Sequence, residues 1–96
     1  MYETPPPRSF VILGVTESGR RFRPSDWAER LAGATSAFRP PSPHVDPRSY
    51  SPYVMPGIRD GVRCVYVDAR LHDIEPMAYD FVRRFAADNE LQVVFE

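Results

Sequence analysis

Hydrophobic and polar positions change rhythm several times along the chain, and each change marks an element. Ser9 to Thr16 is a short β-branched run that stops at Glu17-Ser18-Gly19-Arg20, which predicts a strand ending in a turn, with Phe22 and Arg23 extending it briefly on the far side. Trp27, Leu31, Ala34 and Phe38 then recur at spacings of one helical face, predicting a helix from about Asp26 to about Phe38. Asp26 and Glu29 have the spacing of a capping box, Ser25 is an alternative N-cap, and Gly33 interrupts the helix where a close neighbour is expected. Arg39 to Arg48 holds four prolines and reads as a loop.

Tyr50 to Pro56 is extended, and its prolines cannot feed a ladder, so an edge strand is expected. Arg59-Asp60-Gly61 marks a hairpin turn. Val62 to Asp68 is the clearest strand, with Cys64 and Tyr66 on one face and Val65 and Val67 on the other. A second helix is predicted from Glu75, with Pro76 in its first turn. Its apolar stripe is Ile74, Met77, Ala78, Phe81, Val82 and Phe85, and Asn89 is read as a left-handed cap. Leu91 to Phe95 closes the chain as a strand. The order β-α-β-β-α-β places the chain in the α+β class. It predicts a ferredoxin-like two-layer sandwich: two helices on a mostly antiparallel four-stranded sheet.

At 96 residues, 43% hydrophobic and 26% charged, the chain has the composition of a globular domain. Residues 1–8 are expected to form a flexible Pro-rich leader, and residues 9–96 a single domain. Cys64 is the only cysteine, which excludes an internal disulfide and favours a reducing compartment. The amino terminus lacks the pattern of a secretory signal, and no apolar run approaches a membrane span, so a cytoplasmic location without membrane contact is expected. All 12 basic residues are arginine, and the net charge of −1 argues against a dedicated DNA binder.

Several runs resemble a known family. They are Phe22-Arg23-Pro24-Ser25-Asp26-Trp27-Ala28-Glu29-Arg30-Leu31, Tyr50-Ser51-Pro52-Tyr53-Val54, Gly61-Val62-Arg63-Cys64-Val65, Glu75-Pro76-Met77-Ala78 and Phe85-Ala86-Ala87-Asp88-Asn89-Glu90-Leu91-Gln92-Val93. Together they are similar to short proteobacterial proteins catalogued as a domain of unknown function, over roughly Phe10 to Val94. The resemblance implies a compact, stand-alone bacterial α/β protein and brings no activity, ligand or catalytic residue with it.

Candidate chemistry is sparse. Cys64 sits mid-strand between Arg63 and Val65, as a buried small hydrophobe does, and nothing in the sequence sets His44 or His72 beside it as a nucleophile's partner. The two histidines with Asp46, Asp68 and Asp73 show no metal-ligand spacing. Asp68, Asp73, Glu75 and Asp80 could supply acid–base pairs, but capping accounts for Asp68 and Asp73. No catalytic residue, metal or cofactor is therefore assigned, and the reading leans away from an enzyme.

Two surface features remain. Arg20, Arg21 and Arg23 stand just before a helix start, where an anion or RNA could bind, or where they pair with Asp26 and Glu29 and fix the corner. The aromatic signature of an RNA-recognition sheet is absent, although Tyr50, Tyr53 and Tyr66 could form a stacking platform. Tyr50, Tyr53 and Met55 are the candidate protein interface. The expected function is a non-enzymatic binding or regulatory module acting through a protein partner or self-association. The alternative is a small-anion or RNA binder using Arg20, Arg21 and Arg23.

Overall fold

Four of the apolar runs pair into one antiparallel sheet in a computed structural model that describes residues 7–38 and 50–96. The elements follow as β1 (Phe10–Thr16), α1 (Trp27–Ala34), β2 (Val54–Arg59), β3 (Val62–Val67), α2 (Arg70–Ile74), α3 (Pro76–Asp88) and β4 (Leu91–Phe95). The strand order is β2-β3-β1-β4, with every neighbouring pair antiparallel. This architecture is consistent with a ferredoxin-like sandwich. The expected leader at residues 1–8 and loop at residues 39–48 fall largely or wholly outside the described residues.

Register decides which side chains meet the helices. Phe10 faces Val67 and Phe95, and Ile12 faces Val65 and Val93, so these alternate residues share one face. With Val54 and Leu91 they pack against Trp27, Ala28, Leu31, Ala32, Leu71, Ala78, Tyr79, Val82 and Ala86 in a single core. The opposite face carries Val11, Cys64, Tyr66 and Met55, and none of the described helices covers it. Val11 and Cys64 are buried there nonetheless. An ion pair between Arg59 on one edge strand and Glu96 just past the other (3.3 Å) ties the two edges together.

Local chemistry sets the boundaries. Asp60 and Gly61 both have positive φ, 53° and 77°, as the tight β2–β3 hairpin requires. Pro56 lies within β2, which is an edge strand as its prolines demand, although the strand begins at Val54 rather than Tyr50. α1 stops at Ala34, short of Phe38. The buried Thr35 turns its hydroxyl back to the Leu31 and Ala32 carbonyls (3.1 and 3.2 Å), and its N–H also goes to Ala32, so the helical ladder ends there. Gly33 faces open space rather than a close neighbour.

α2 has no counterpart in the apolar periodicity, because five residues are too few to show one. Asp68 starts it by accepting the Arg70 N–H (2.9 Å). α3 begins as expected, with Pro76 in its first turn and the Glu75 carboxylate accepting the Met77 N–H. Its buried face is rotated from the expected stripe: Ala78, Tyr79, Val82 and Ala86 face inward, while Met77 and Phe81 are 79% and 51% exposed. Tyr79 wins the inward position because its hydroxyl donates to the Arg8 carbonyl (2.7 Å) and accepts the Arg8 N–H (3.2 Å). The left-handed residue after α3 is Glu90 (φ 55°), not Asn89, whose side chain instead donates to the Phe85 carbonyl.

Candidate functional site

The arginine corner is built by a hairpin that folds back on β1. The Thr16 N–H donates to the Arg20 carbonyl (2.8 Å) and the Arg20 N–H to the Thr16 hydroxyl (3.1 Å), Arg21 bridges to Val15, and the Phe22 N–H donates to the Gly14 carbonyl (2.9 Å). A cis Arg23–Pro24 peptide follows, and α1 begins at Trp27. Arg20, Arg21 and Arg23 are all exposed. They do not pair with Asp26 and Glu29. Asp26 is taken by Arg30 four residues on (2.8 Å), which leaves no side-chain cap on α1, and Glu29 is taken by Arg63 of β3. The expected capping box is thereby undone, and the three arginines have no ion-pair partner among the described residues.

Beside this corner lies a pocket of about 280 Å³, with Arg21, Ser25, Trp27 and Arg63 among its polar lining and Phe22 and Ile58 among its apolar lining. Gly14 forms part of its floor: a Cβ there would come within 2.7 Å of the Arg63 carbonyl oxygen and 2.8 Å of the Trp27 indole nitrogen. Arg20 and Arg23 do not line it. Trp27 stacks on Phe85 and meets Phe22 edge-on, so the aromatic wall is fixed from behind.

The tyrosines separate across the sheet. Tyr50 and Tyr53 are half-buried against the helix-side core, with the Arg70 guanidinium over the Tyr53 ring. Tyr66 lies on the opposite face, next to Met55. The three tyrosines therefore do not form one stacking platform, and of the candidate interface only Met55 is exposed. The Cys64 thiol beside Tyr66 pushes the phenol pKa upward, and partial desolvation adds to it. Cys64 itself is buried, and His72 packs edge-on to Tyr79, far from a nucleophile–base arrangement. Among the described residues no group of three His, Cys, Asp or Glu side chains could hold a metal ion. No helix among them is long and apolar enough to cross a membrane.

A further surface had no motif to announce it. β4 is the sheet edge opposite β2, and its sequence, Leu-Gln-Val-Val-Phe, holds neither proline nor charge. Between β4 and α3 runs a groove of about 510 Å³, with Arg83 and Ala86 on the helix side and Glu17 and Leu91 at the opposite end. Arg83 and Arg8 both stack over Phe95, while the Glu17 N–H donates to the Glu90 carbonyl beside Leu91. The groove thus has a basic end and an acidic end.

Comparison with known proteins agrees with the fold and is silent on activity. Residues 6–96 match the family described as "Protein of unknown function (DUF3579)". A solution structure described as the first structural representative of its family is 34% identical, over 99% of this chain and 84% of that one, with a TM-score of 0.77. No curated protein matches.

Proposed function

Because the chain belongs to this family of unknown function, kinship supplies no activity, and we propose from the geometry that the protein is a non-enzymatic binding module that works by self-association through the β4 edge. The carrying observation is the contrast between the two edges. β2 is blunted by Pro56 inside the strand and Arg59 at its end, the usual defences against strand addition. β4 has neither, and it ends in Val94 and Phe95, which are 40% and 43% exposed.

Charge selects a second copy as the occupant. Two β4 strands related by a two-fold axis near Val93 run antiparallel, so the Phe95 end of one meets the Leu91 end of the other. That arrangement sets the basic end, Arg83 and Arg8, against the acidic end, Glu17 and Glu90, twice over. The two sheets become one eight-stranded sheet, with the alanines of α3 leaving room for the incoming strand. The candidate interface around Met55 lies on the other edge and is left for a further partner. The single buried cysteine supports a reducing, cytoplasmic setting for the assembly.

Sedimentation equilibrium between about 1 and 100 μM, the span in which a moderate dimer dissociates, is the test. The expected result is a monomer–dimer equilibrium that Arg83→Glu or Glu17→Arg weakens and the double exchange restores. Both side chains are exposed, so neither change threatens the fold. A monomer throughout that range would remove the proposal, as would dimerisation indifferent to both charges.

A further inference from the structure

We infer that the corner pocket between β1 and α1 receives a small ligand bearing one phosphate or carboxylate group on an apolar body. This stands independently of self-association at β4. Trp27 is the decisive residue. It is only 4% exposed, and indole N–H is a donor that finds no acceptor among the described residues. Its nitrogen is not among the polar atoms sealed from solvent, and Trp27 lines the pocket with that edge against Gly14. The unpaired N–H therefore opens onto the pocket.

The other lining groups suit the same ligand. Among the described residues Arg21 has no carboxylate partner, whereas Arg30, Arg59, Arg63 and Arg70 are each paired. Ser25 adds a hydroxyl. Residues lining one cavity that carry a guanidinium fork, an indole N–H and a hydroxyl suit an oxyanion, the group that accepts several hydrogen bonds at once. No carboxylate lines the cavity to repel it.

Size and charge restrict the ligand further. Arg63 is neutralised by Glu29, so Arg21 supplies the uncompensated charge, enough for one anionic group. The apolar walls, Phe22, Ile58 and Val62, require a body that is not itself charged. A polyanion is disfavoured by the net charge of −1 and by Asp26, Glu29 and Asp60 around the corner.

Trp27 is the only tryptophan, so the ¹⁵N-labelled full-length protein gives a single indole N–H resonance that reports at the proposed donor itself. Phenyl phosphate, benzoate, inorganic phosphate and benzyl alcohol are titrated in turn. The expected result is a saturable shift of that resonance with phenyl phosphate or benzoate, whichever is tighter naming the anionic group, and a weaker response to inorganic phosphate. Arg21→Gln should weaken binding at least about tenfold, the weight of one charge-assisted hydrogen bond. Ser25→Ala should weaken it several-fold, and Arg20→Gln, outside the pocket, should leave it unchanged. Both Arg21 and Ser25 are exposed, and the remaining spectrum shows whether the variants are folded. The proposal is overturned by the absence of a saturable shift, by benzyl alcohol binding as tightly as the anions, or by an unaltered response in Arg21→Gln. A single-stranded oligoribonucleotide is titrated last, and a saturable shift with it but with none of the small anions would overturn the proposal too and return the corner to a polymer.

Discussion

Two glycines show how differently one residue type is used. Gly33 lies exposed inside α1 with ordinary helical geometry, and nothing stands within 4 Å of where a Cβ would be. Gly33→Ala should therefore stabilise the protein by about 1 kcal/mol, through helix propensity and a less flexible unfolded chain. The melting temperature should rise by roughly 4–8 °C for a domain of this size. Gly14 is the reverse case, since a Cβ would strike the Arg63 carbonyl at 2.7 Å, and backbone cannot yield as a side chain does. Gly14→Ala should cost about 1–3 kcal/mol in a urea titration. Neither outcome follows from glycine's place in the sequence pattern, which suggested close packing at Gly33 and said nothing of Gly14.

Among the elements, α2 depends most on a single group. Asp68 accepts the Arg70 N–H and faces its guanidinium at 2.8 Å, and these hydrogen bonds hold its carboxyl pKa below the ordinary value more than burial raises it. A depressed carboxyl stabilises the folded state fully above its unfolded pKa, about 3.9, and loses that contribution as pH falls through the lower folded value. The urea midpoint should therefore drop on acidification from pH 5 toward pH 2, and Asp68→Asn should reduce that drop. At neutral pH Asp68→Ala should cost about 1 kcal/mol, as loss of a side-chain to backbone hydrogen bond does. The Asp26–Arg30 pair on α1 is a contrasting case, being exposed on both sides and worth only about 0.3–0.5 kcal/mol. Helix-face reading from spacing succeeded for Trp27 and Leu31 but misplaced the inward face of α3. An apolar stripe records which residues could be buried, and Tyr79 prevailed through hydrogen bonds to a residue 71 positions away.

For the whole molecule, sheet and helices share one core and should be lost together. Ile12 is fully buried at its centre, in the strand between β3 and β4. Ile12→Ala should cost about 2–5 kcal/mol, a large share of the ~5–15 kcal/mol typical of a domain. Far-ultraviolet circular dichroism and Trp27 fluorescence should still report one coincident transition. Separate midpoints for the two signals would show that the α1 corner unfolds apart from the sheet. The uncovered sheet face is held differently, by the Arg59–Glu96 pair between opposite edges, and this exposed link should weaken with added salt.

The sequence alone determined the order of the four strands and the two longer helices, the β2–β3 hairpin, the edge character of β2, the start of α3 and the burial of Cys64. Each is a local matter: the backbone conformation of Asp60-Gly61, the missing N–H of Pro56, the fixed φ of Pro76, the alternation of side chains along a strand. The resemblance to a family of unknown function was legible in the same way, from contiguous runs. Tertiary structure alone decided which acid each arginine meets. It also set the tyrosines on different faces, left the Trp27 N–H without a partner among the described residues, and made β4 an edge with a charged groove beside it. Those outcomes depend on residues distant in sequence arriving within a few ångströms, as when Arg63 of β3 removes Glu29 from the corner where Arg21 stands. Such distances are set by strand order and register, which no local pattern of residues encodes.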